Sequence, residues 1–393
     1  MEGIELEQAI ELLTAQVKPV DDVREVLLLG GLGSIVAENY FAKFDNPPFN
    51  RSPLDGYAVN SADTPNNFKV VGEECAGDFW RKTLKRGEAL RIMTGAAIPK
   101  GTDCVVRQED IIKVDAENIF VPKKLQHHEN FCFAGEDVKS GDLIVEKGTI
   151  LTAAHVAVLA SQGYSLVKVY RFPSVTIAST GDELLMPYEK LAKGKIYNSN
   201  LYLLQARVIE LDVALGNLGN LPDDPEVVAK KILEYDRKTD LLITTGGVSV
   251  GKKDIMHEVV KKIGEKIFWR VNMKPGAPVI GWRTENFLAL SLSGNPFAAF
   301  ATFELLARPI IAKLNRRADF MYKRIKAVMA DNFPKQSRGR RFIRAKFDDG
   351  KIYLPEQHAS GSLFSAVYCN ALVDIPAGTG ALKIGDKVEV VLL

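Results

Sequence analysis

The sequence predicts a multidomain chain of the α/β-plus-β class. It combines a doubly wound parallel α/β domain, a strand-rich insertion domain and a C-terminal β-domain. Three observations predict this. Between residues 173 and 313, β-branched runs alternate with helical stretches, the rhythm of a parallel sheet covered on both faces. Between residues 49 and 142, short β-type runs are punctuated by Gly, Pro, Asn and Asp at the spacing of a small all-β fold. Residues 316–393 hold further short strands and the turn Pro376-Ala377-Gly378-Thr379-Gly380. A length of 393 residues, at about 150 per domain, suggests two or three domains.

The elements follow in order. Residues 4–15 place Ile4, Ala9, Ile10, Leu12 and Leu13 largely on one helical face. Residues 24–44 form an apolar stretch ending at Asn46-Pro47-Pro48. Strands are expected at 57–59, 68–71, 89–92, 104–106, 111–114 and 119–121, and 144–160 is compatible with helix. In the α/β region strands are expected at 175–179, 212–218, 240–245, 267–271 and 287–292. Helices are expected at 200–211, 225–235, 254–263 and 296–314. Asp224 before Pro225 is a helix start, with a capping side chain and a proline in the first turn. Val328 to Phe347 and strands near 352–354, 372–375 and 388–392 complete the last domain.

Composition excludes several function classes. Lys and Arg number 51 against 49 Asp and Glu, and 46% of residues are hydrophobic, so the chain is neither a strongly basic nucleic-acid binder nor mostly disordered. The balance hides a gradient: residues 316–346 carry eleven Lys and Arg against two Asp, a local +9 that leaves −7 elsewhere. Cys75, Cys104, Cys132 and Cys369 form no CxxC pair, which points to free thiols in a reducing compartment. The acidic start lacks a secretory signature, and the apolar run at 26–29 is too short to span a bilayer. A soluble, cytoplasmic protein is expected, with no membrane and no nucleic-acid partner.

In open α/β sheets, ligands sit outside the carboxyl ends of the strands, so the loops there are the candidates. Thr244-Thr245-Gly246-Gly247-Val248-Ser249-Val250-Gly251-Lys252-Lys253-Asp254 carries a buried strand into a glycine-rich loop and a helix. Glycines let the backbone approach an anion, and helix-start N–H groups bind phosphate. Gly246, Gly247, Ser249 and Gly251 are the substrate-binding candidates, with Asp254 as a carboxylate for a metal ion bridging phosphates. It is not a Walker loop, and a plain turn with Asp254 as N-cap is the competing reading. Thr180-Gly181-Asp182-Glu183 follows the first strand, and its acids could hold a metal or cap a turn. Ser293-Gly294-Asn295-Pro296 is a third such loop. Arg270, Asn272 and Lys274 alternate, so they could share one face of a strand, or Arg270 and Lys274 could be solvated cations on an edge strand. Ser52-Pro53-Leu54-Asp55-Gly56-Tyr57-Ala58, Arg91-Ile92-Met93-Thr94-Gly95-Ala96 and Gly135-Glu136-Asp137 each set a polar residue beside a turn glycine, which alone reads as turn chemistry. Gly31-Leu32-Gly33 lacks the context of a dinucleotide site, and His127-His128-Glu129 reads as a polar loop.

Together these segments resemble the MoeA family of molybdopterin molybdenumtransferases and the related E domain of gephyrin. The resemblance runs from about Glu5 to Leu392. It implies an elongated four-domain homodimer: 21–48 with 143–168 as a linking domain, 49–142 as the strand-rich domain, 1–20 with 169–318 as the molybdopterin-binding α/β domain, and 319–393 as the C-terminal β-domain. It implies insertion of molybdenum from molybdate into adenylylated molybdopterin, with release of AMP and with support from Mg²⁺. By matching segment it implies Asp55, Thr94, Asp137, Glu183 and Asp254 as catalytic residues, and Glu183, Asp223 and Asp254 as metal ligands. Asp55, Thr94 and Asp137 would reach the molybdate side from a second copy of the chain. Substrate would be bound by the glycine-loop residues named above with Arg270, Lys274, Ser293, Gly294 and Asn295. Arg340 or Arg341 would face the anionic substrate from the last domain. Many members have Lys where this chain has Arg270, and Pro where it has Ser293. The upstream adenylyltransferase and recipient molybdoenzymes are the implied protein partners. A molybdopterin adenylyltransferase and a non-catalytic gephyrin-like scaffold are the alternatives.

Overall fold

The computed structural model describes residues 1–63, 66–249 and 254–393. Gly251, one of the expected substrate-binding residues, lies outside them. The chain divides into two compact units, residues 1–22 with 171–393, and residues 23–170.

The larger unit is built on a seven-stranded sheet. Its spatial order is Glu2–Ile4, Glu265–Val271, Ile280–Arg283, Leu288–Leu292, Leu241–Thr245, Ser174–Thr180 and Ala214–Leu221. The pairings among the last four of these strands are parallel, so their carboxyl ends share one edge. Val175, Ile177, Leu241, Ile243, Leu288 and Leu290 are buried on one face with Leu201, Leu204 and Val208 of helix Ser199–Glu210. Ala178, Leu242 and Ala289 are buried on the other with Val228 and Ile232 of Pro225–Leu233 and Val259 and Val260 of Met256–Ile263. This is the two-faced cover that the alternating pattern implies. The Asp224 carboxylate accepts from the Glu226 and Val227 amides at 2.9 and 3.1 Å, a cap of the kind that contributes about 1 kcal/mol.

Three expectations need correction. The sheet is mixed, because Ile280–Arg283 lies antiparallel to both neighbours; its flanking Pro278 and internal Gly281 hid it from the sequence reading. The 4–15 segment is not one helix. Glu2–Ile4 is a strand parallel to Glu265–Val271, and only Leu6–Ala15 is helical, with Leu6, Ala9 and Leu13 buried. That strand covers Glu265–Val271, so Arg270 is not on an edge strand. The 144–160 segment likewise splits into strand Leu143–Val145 and helix Ala153–Ser161, the helix starting at Thr152, whose backbone and hydroxyl engage His155 in a capping box.

A closed five-stranded barrel completes this unit, in the order Arg324–Met329, Lys351–Tyr353, Arg341–Asp348, Ala371–Ile375 and Lys387–Leu392. Ala327, Met329, Ile343, Ala345, Val373 and Val390 fill it. Its outer residues Phe342, Leu372 and Val391 join the α/β core.

The smaller unit holds a six-stranded sheet, in the order Cys104–Arg107, Gly56–Val59, Glu88–Ile92, Asn67–Glu74, Asn118–Phe120 and Ile112–Lys113. These are the six runs expected there. The 24–44 stretch contributes strand Val23–Leu27, paired with Leu166–Tyr170, and strand Tyr40–Phe41, paired with Leu143–Val145.

Candidate active site

The carboxyl ends of the four parallel strands open into four loops around one cavity of about 580 Å³. Glu183, Asp223, Gly246, Gly247, Ser249, Asp254, Ser293, Gly294 and Asn295 line it, so nine of the expected residues meet in one place. The backbone explains the glycines. Gly246 has φ +94°, and a Cβ there would sit 2.5 Å from the Thr180 carbonyl oxygen. A Cβ on Gly294 would sit 3.6 Å from the Gly246 Cα, so two glycine loops lie against each other. The Gly246 amide donates to the Leu292 carbonyl at 3.0 Å, and Asn200 Nδ2 donates to the Gly294 carbonyl at 2.8 Å. The loops are therefore stitched by a backbone bond and by the Asn200 side chain.

The acids hold distinct positions. The Asp223 amide donates to Asp182 Oδ1 at 3.1 Å, and the Asp182 amide donates to Asp223 Oδ2 at 3.4 Å. This reciprocal pair fixes Asp223 beside the Glu183 loop. Helix Met256–Ile263 takes Ile255 as its N-cap residue, which makes no side-chain cap bond, and Asp254 directly precedes it. No helix follows Glu183, only strand Leu184–Leu185. Asn295 is the N-cap residue of Pro296–Thr302 and makes no side-chain cap bond.

The second group is basic. Arg270, Asn272 and Lys274 are exposed while Val271 and Met273 are buried, which is the expected alternation. With Arg338, Arg340 and Arg341 they line a cavity of about 780 Å³, whose rim also includes Glu2 and Glu5. Arg270 has φ +68° and its guanidinium lies 5.6 Å from the Trp269 ring centre. Lys274 is locked to the barrel: its amide donates to the Arg340 carbonyl at 2.9 Å, and the Phe342 amide donates to its carbonyl at 2.7 Å. That register puts Lys274 beside Arg341.

The two arginines at the barrel rim differ. Arg340 donates through Nε and Nη2 to the Asp374 carboxylate at 2.9 and 2.6 Å, and through Nη1 to Glu7. These bonds hold its pKa well above the ordinary arginine value. The buried Arg341 Nε has no hydrogen-bond partner among the described residues. Lys274 and Arg341 also line a pocket of about 380 Å³ with Lys335, Arg344, His358 and Ser360, and no described residue lining it is acidic. Arg344 is 1% exposed. Its guanidinium stacks 3.7 Å from the Phe297 ring centre and donates to the Ser362 and Ala359 carbonyls, with Nε unpartnered among the described residues. Burial pushes its pKa down. Burial, then Arg344, Lys335 and Arg341, push the His358 imidazole down as well. The sequence reading missed Lys335, Arg344, His358 and Ser360 as a group; the +9 stretch containing two of them was the available signal.

In the smaller unit the structure joins two expected residues. The Thr94 amide and hydroxyl both donate to Asp55 Oδ1, at 2.8 and 2.7 Å. Those two bonds hold the exposed Asp55 carboxyl below its usual range. Asp137 accepts from Asn46 Nδ2 at 3.0 Å. His127 pairs with Asp103 at 2.7 Å, consistent with a polar loop.

Among the described residues no three His, Cys, Asp or Glu side chains converge as a metal cluster. Glu183, Asp223 and Asp254 offer the hard oxygen donors that Mg²⁺ takes, and Mg²⁺ is commonly held by one or two carboxylates together with substrate phosphates. The donor chemistry fits an ion that arrives with a phosphate-bearing ligand. No helix among the described residues is long and apolar enough to cross a membrane.

Comparison with known proteins gives the same assignment along the whole chain. Residues 4–163 match the MoeA N-terminal region (domains I and II), 176–313 a probable molybdopterin binding domain, and 326–393 the MoeA C-terminal region (domain IV). A molybdopterin molybdenumtransferase of Staphylococcus epidermidis is 36% identical over 406 residues, covering 99% of this chain and 95% of the relative. One from Staphylococcus aureus is 34% identical over 401 residues, with the same coverage. The crystal structure of a molybdopterin biosynthesis MoeA protein from Pyrococcus horikoshii superposes with a TM-score of 0.86 at 30% identity, covering 99% of both chains. The carboxyl-edge loops, the basic barrel rim and these full-length similarities agree: the chain belongs to the MoeA family.

Proposed function

We propose that this chain is a molybdopterin molybdenumtransferase that inserts molybdenum from molybdate into adenylylated molybdopterin and releases AMP. The observation that carries it is the division of one unit into a carboxylate-and-glycine cavity and an acid-free basic pocket. The first suits a phosphate-bearing substrate held by backbone N–H groups, with Glu183, Asp223 and Asp254 to hold Mg²⁺. When bound, that ion would neutralise phosphate charge. The second suits a small dianion: Lys274 and Arg341 supply charge, and buried Arg344 adds to it where water is excluded. Arg340 is committed to Asp374 and Glu7, so the reading favours Arg341 as the barrel's substrate-facing arginine. Asp55, Thr94 and Asp137 are assigned as further residues of the transfer reaction.

Changing Asp254 to Ala, or Asp55 to Ala, is expected to lower molybdate-dependent AMP release by about 10²–10³-fold, the range for removing one group that stabilises developing charge. Wild-type rates in both variants would overturn the assignment. Formation of the AMP adduct from molybdopterin and ATP would favour an adenylyltransferase instead. AMP release with molybdate would argue against a purely scaffolding role.

The finer division into four domains is supported by buried clusters that centre on each, although the α/β core also takes in Phe342, Leu372 and Val391 of the barrel. They are centred on Val36, Val145, Leu159 and Val167 for 21–48 with 143–168, and on Phe68, Ala89 and Val106 for 49–142. For 1–20 with 169–318 and for 319–393 they are the α/β core and the barrel core. A homodimer is proposed for the exposed apolar face of the first of these. Leu27 and Leu29 are 71% and 77% exposed there, beside Val23, Leu32 and Leu166, and an apolar patch of this kind marks an association surface. Leu27→Glu with Leu29→Glu should convert a sedimenting dimer to monomer. An unchanged dimer mass would refute that face, and a monomeric wild type would refute the dimer. The upstream adenylyltransferase and recipient apoenzymes remain proposed partners, with the cytoplasm as the proposed location.

A further inference from the structure

Glu74 is 2% exposed at the end of strand Asn67–Glu74. Both carboxylate oxygens are buried without a well-formed hydrogen bond among the described residues. A buried carboxyl without a partner is retained most cheaply as the neutral acid. Its backbone shows what it supports. The Met93 amide donates to the Glu74 carbonyl at 3.1 Å, one residue before Thr94. From Cys75 the chain continues as a strap over the same strand. Trp80 lies across Gly72, where a Cβ would be 2.8 Å from the indole, and Ala76 lies against Gly95, 3.7 Å from a Cβ built there. The strap thus leaves the strand at Glu74, whose backbone adjoins Ile92 and Met93, and touches at Gly95 the turn that presents Thr94 to Asp55.

We propose that Glu74 is a positioning residue for the Asp55–Thr94 pair: its buried, un-ionised carboxyl lets the strap beginning at Cys75 close against Gly95 and hold Thr94 on Asp55. This rests on the reading that Asp55 and Thr94 serve the transfer reaction. Ionisation would place an unpaired charge under the strap and drive it open. The surrounding charges favour the neutral form. Glu73 and Arg91, from the strand and its neighbour, pair with each other at 3.7 Å. Asp78, on the strap, is negative, and Arg81 and Lys82 follow farther along it. Burial, with Asp78 adding, raises the Glu74 pKa, against the opposing pull of the Trp80 amide.

The test is the pH profile of molybdate-dependent AMP release, read beside the emission of Trp80, isolated by difference from Trp80→Phe. Wild type is expected to lose kcat and shift Trp80 emission together as pH rises, with KM little changed. Glu74→Ala should lower kcat by up to about 100-fold, the loss that a misplacement of about 1 Å can cause. Glu74→Gln, the uncharged isostere, should restore it and remove both alkaline transitions. If Glu74→Ala fails to fold, the Glu74→Gln profile decides alone. A Glu74→Gln profile that coincides with wild type, while Asp55→Ala is inactive, overturns this proposal only. Full activity in Asp55→Ala overturns the reading beneath it.

Discussion

The acidic cavity and the basic pocket of the larger unit are built by opposite means. The acidic cavity is a product of topology. Parallel strands end at one edge, glycines let their loops touch, and the functional side chains are local to those loops. The basic pocket is a product of long-range packing. Lys274 from the α/β domain meets Lys335, Arg341, Arg344 and His358 of the last domain because its backbone joins the barrel ladder. A site of the first kind depends on its backbone geometry together with carboxylates local to each loop. A site of the second kind depends on a few cations, with no acid among the described residues that line it.

The two cavities should differ most at those charges. Lys274→Ala and Arg341→Ala should each raise the KM for molybdate by about 10–100-fold, since a charge-assisted bond contributes about 1.5–3 kcal/mol. The loss should deepen with added salt in wild type and flatten in the double variant, because fewer charges remain to be screened. Affinity for AMP, read by calorimetry, should change less than molybdate affinity. An equal loss for both ligands would merge the two cavities into one functional site and remove the distinction.

The same contrast explains what the sequence disclosed. The glycine loops were legible because each is a contiguous strand–loop–helix segment whose side of the sheet follows from chain order. Asp55 and Thr94 were legible only as turn residues, until the resemblance linked them; their shared hydrogen bonds join residues 39 positions apart. Arg344 and His358 were not legible as a pocket, because a cation's burial depends on which aromatic ring lies over it, and here that ring is Phe297. The strand Glu2–Ile4 was obscured for a related reason. Its partner is Glu265–Val271, and a three-residue strand carries too little pattern to reveal a pairing across the chain.

Arg340 separates the structural cations from the functional ones. Its guanidinium binds Asp374, 5% exposed, while Arg324 Nη1 donates to Oδ2 of the same carboxylate at 2.7 Å. Burial pulls the Asp374 pKa up, but the bonds from Arg340 and Arg324 outweigh it and hold the carboxyl below its usual range. A carboxyl depressed in the folded state stabilises fully above its unfolded pKa of about 3.9, and that stability is lost as pH falls through the lower folded value. Wild type should therefore lose stability on acidification below about pH 4 more steeply than Asp374→Asn. At neutral pH, Arg340→Ala should lower unfolding free energy by about 2–3 kcal/mol, less than a fully orphaned buried charge because Arg324 remains. Its molybdate KM should stay near wild type, whereas Arg341→Ala shows the reverse pattern. Chemical denaturation across pH, paired with steady-state assays, reads both. A molybdate defect in Arg340→Ala at full stability would move that arginine from the barrel's framework into the binding site.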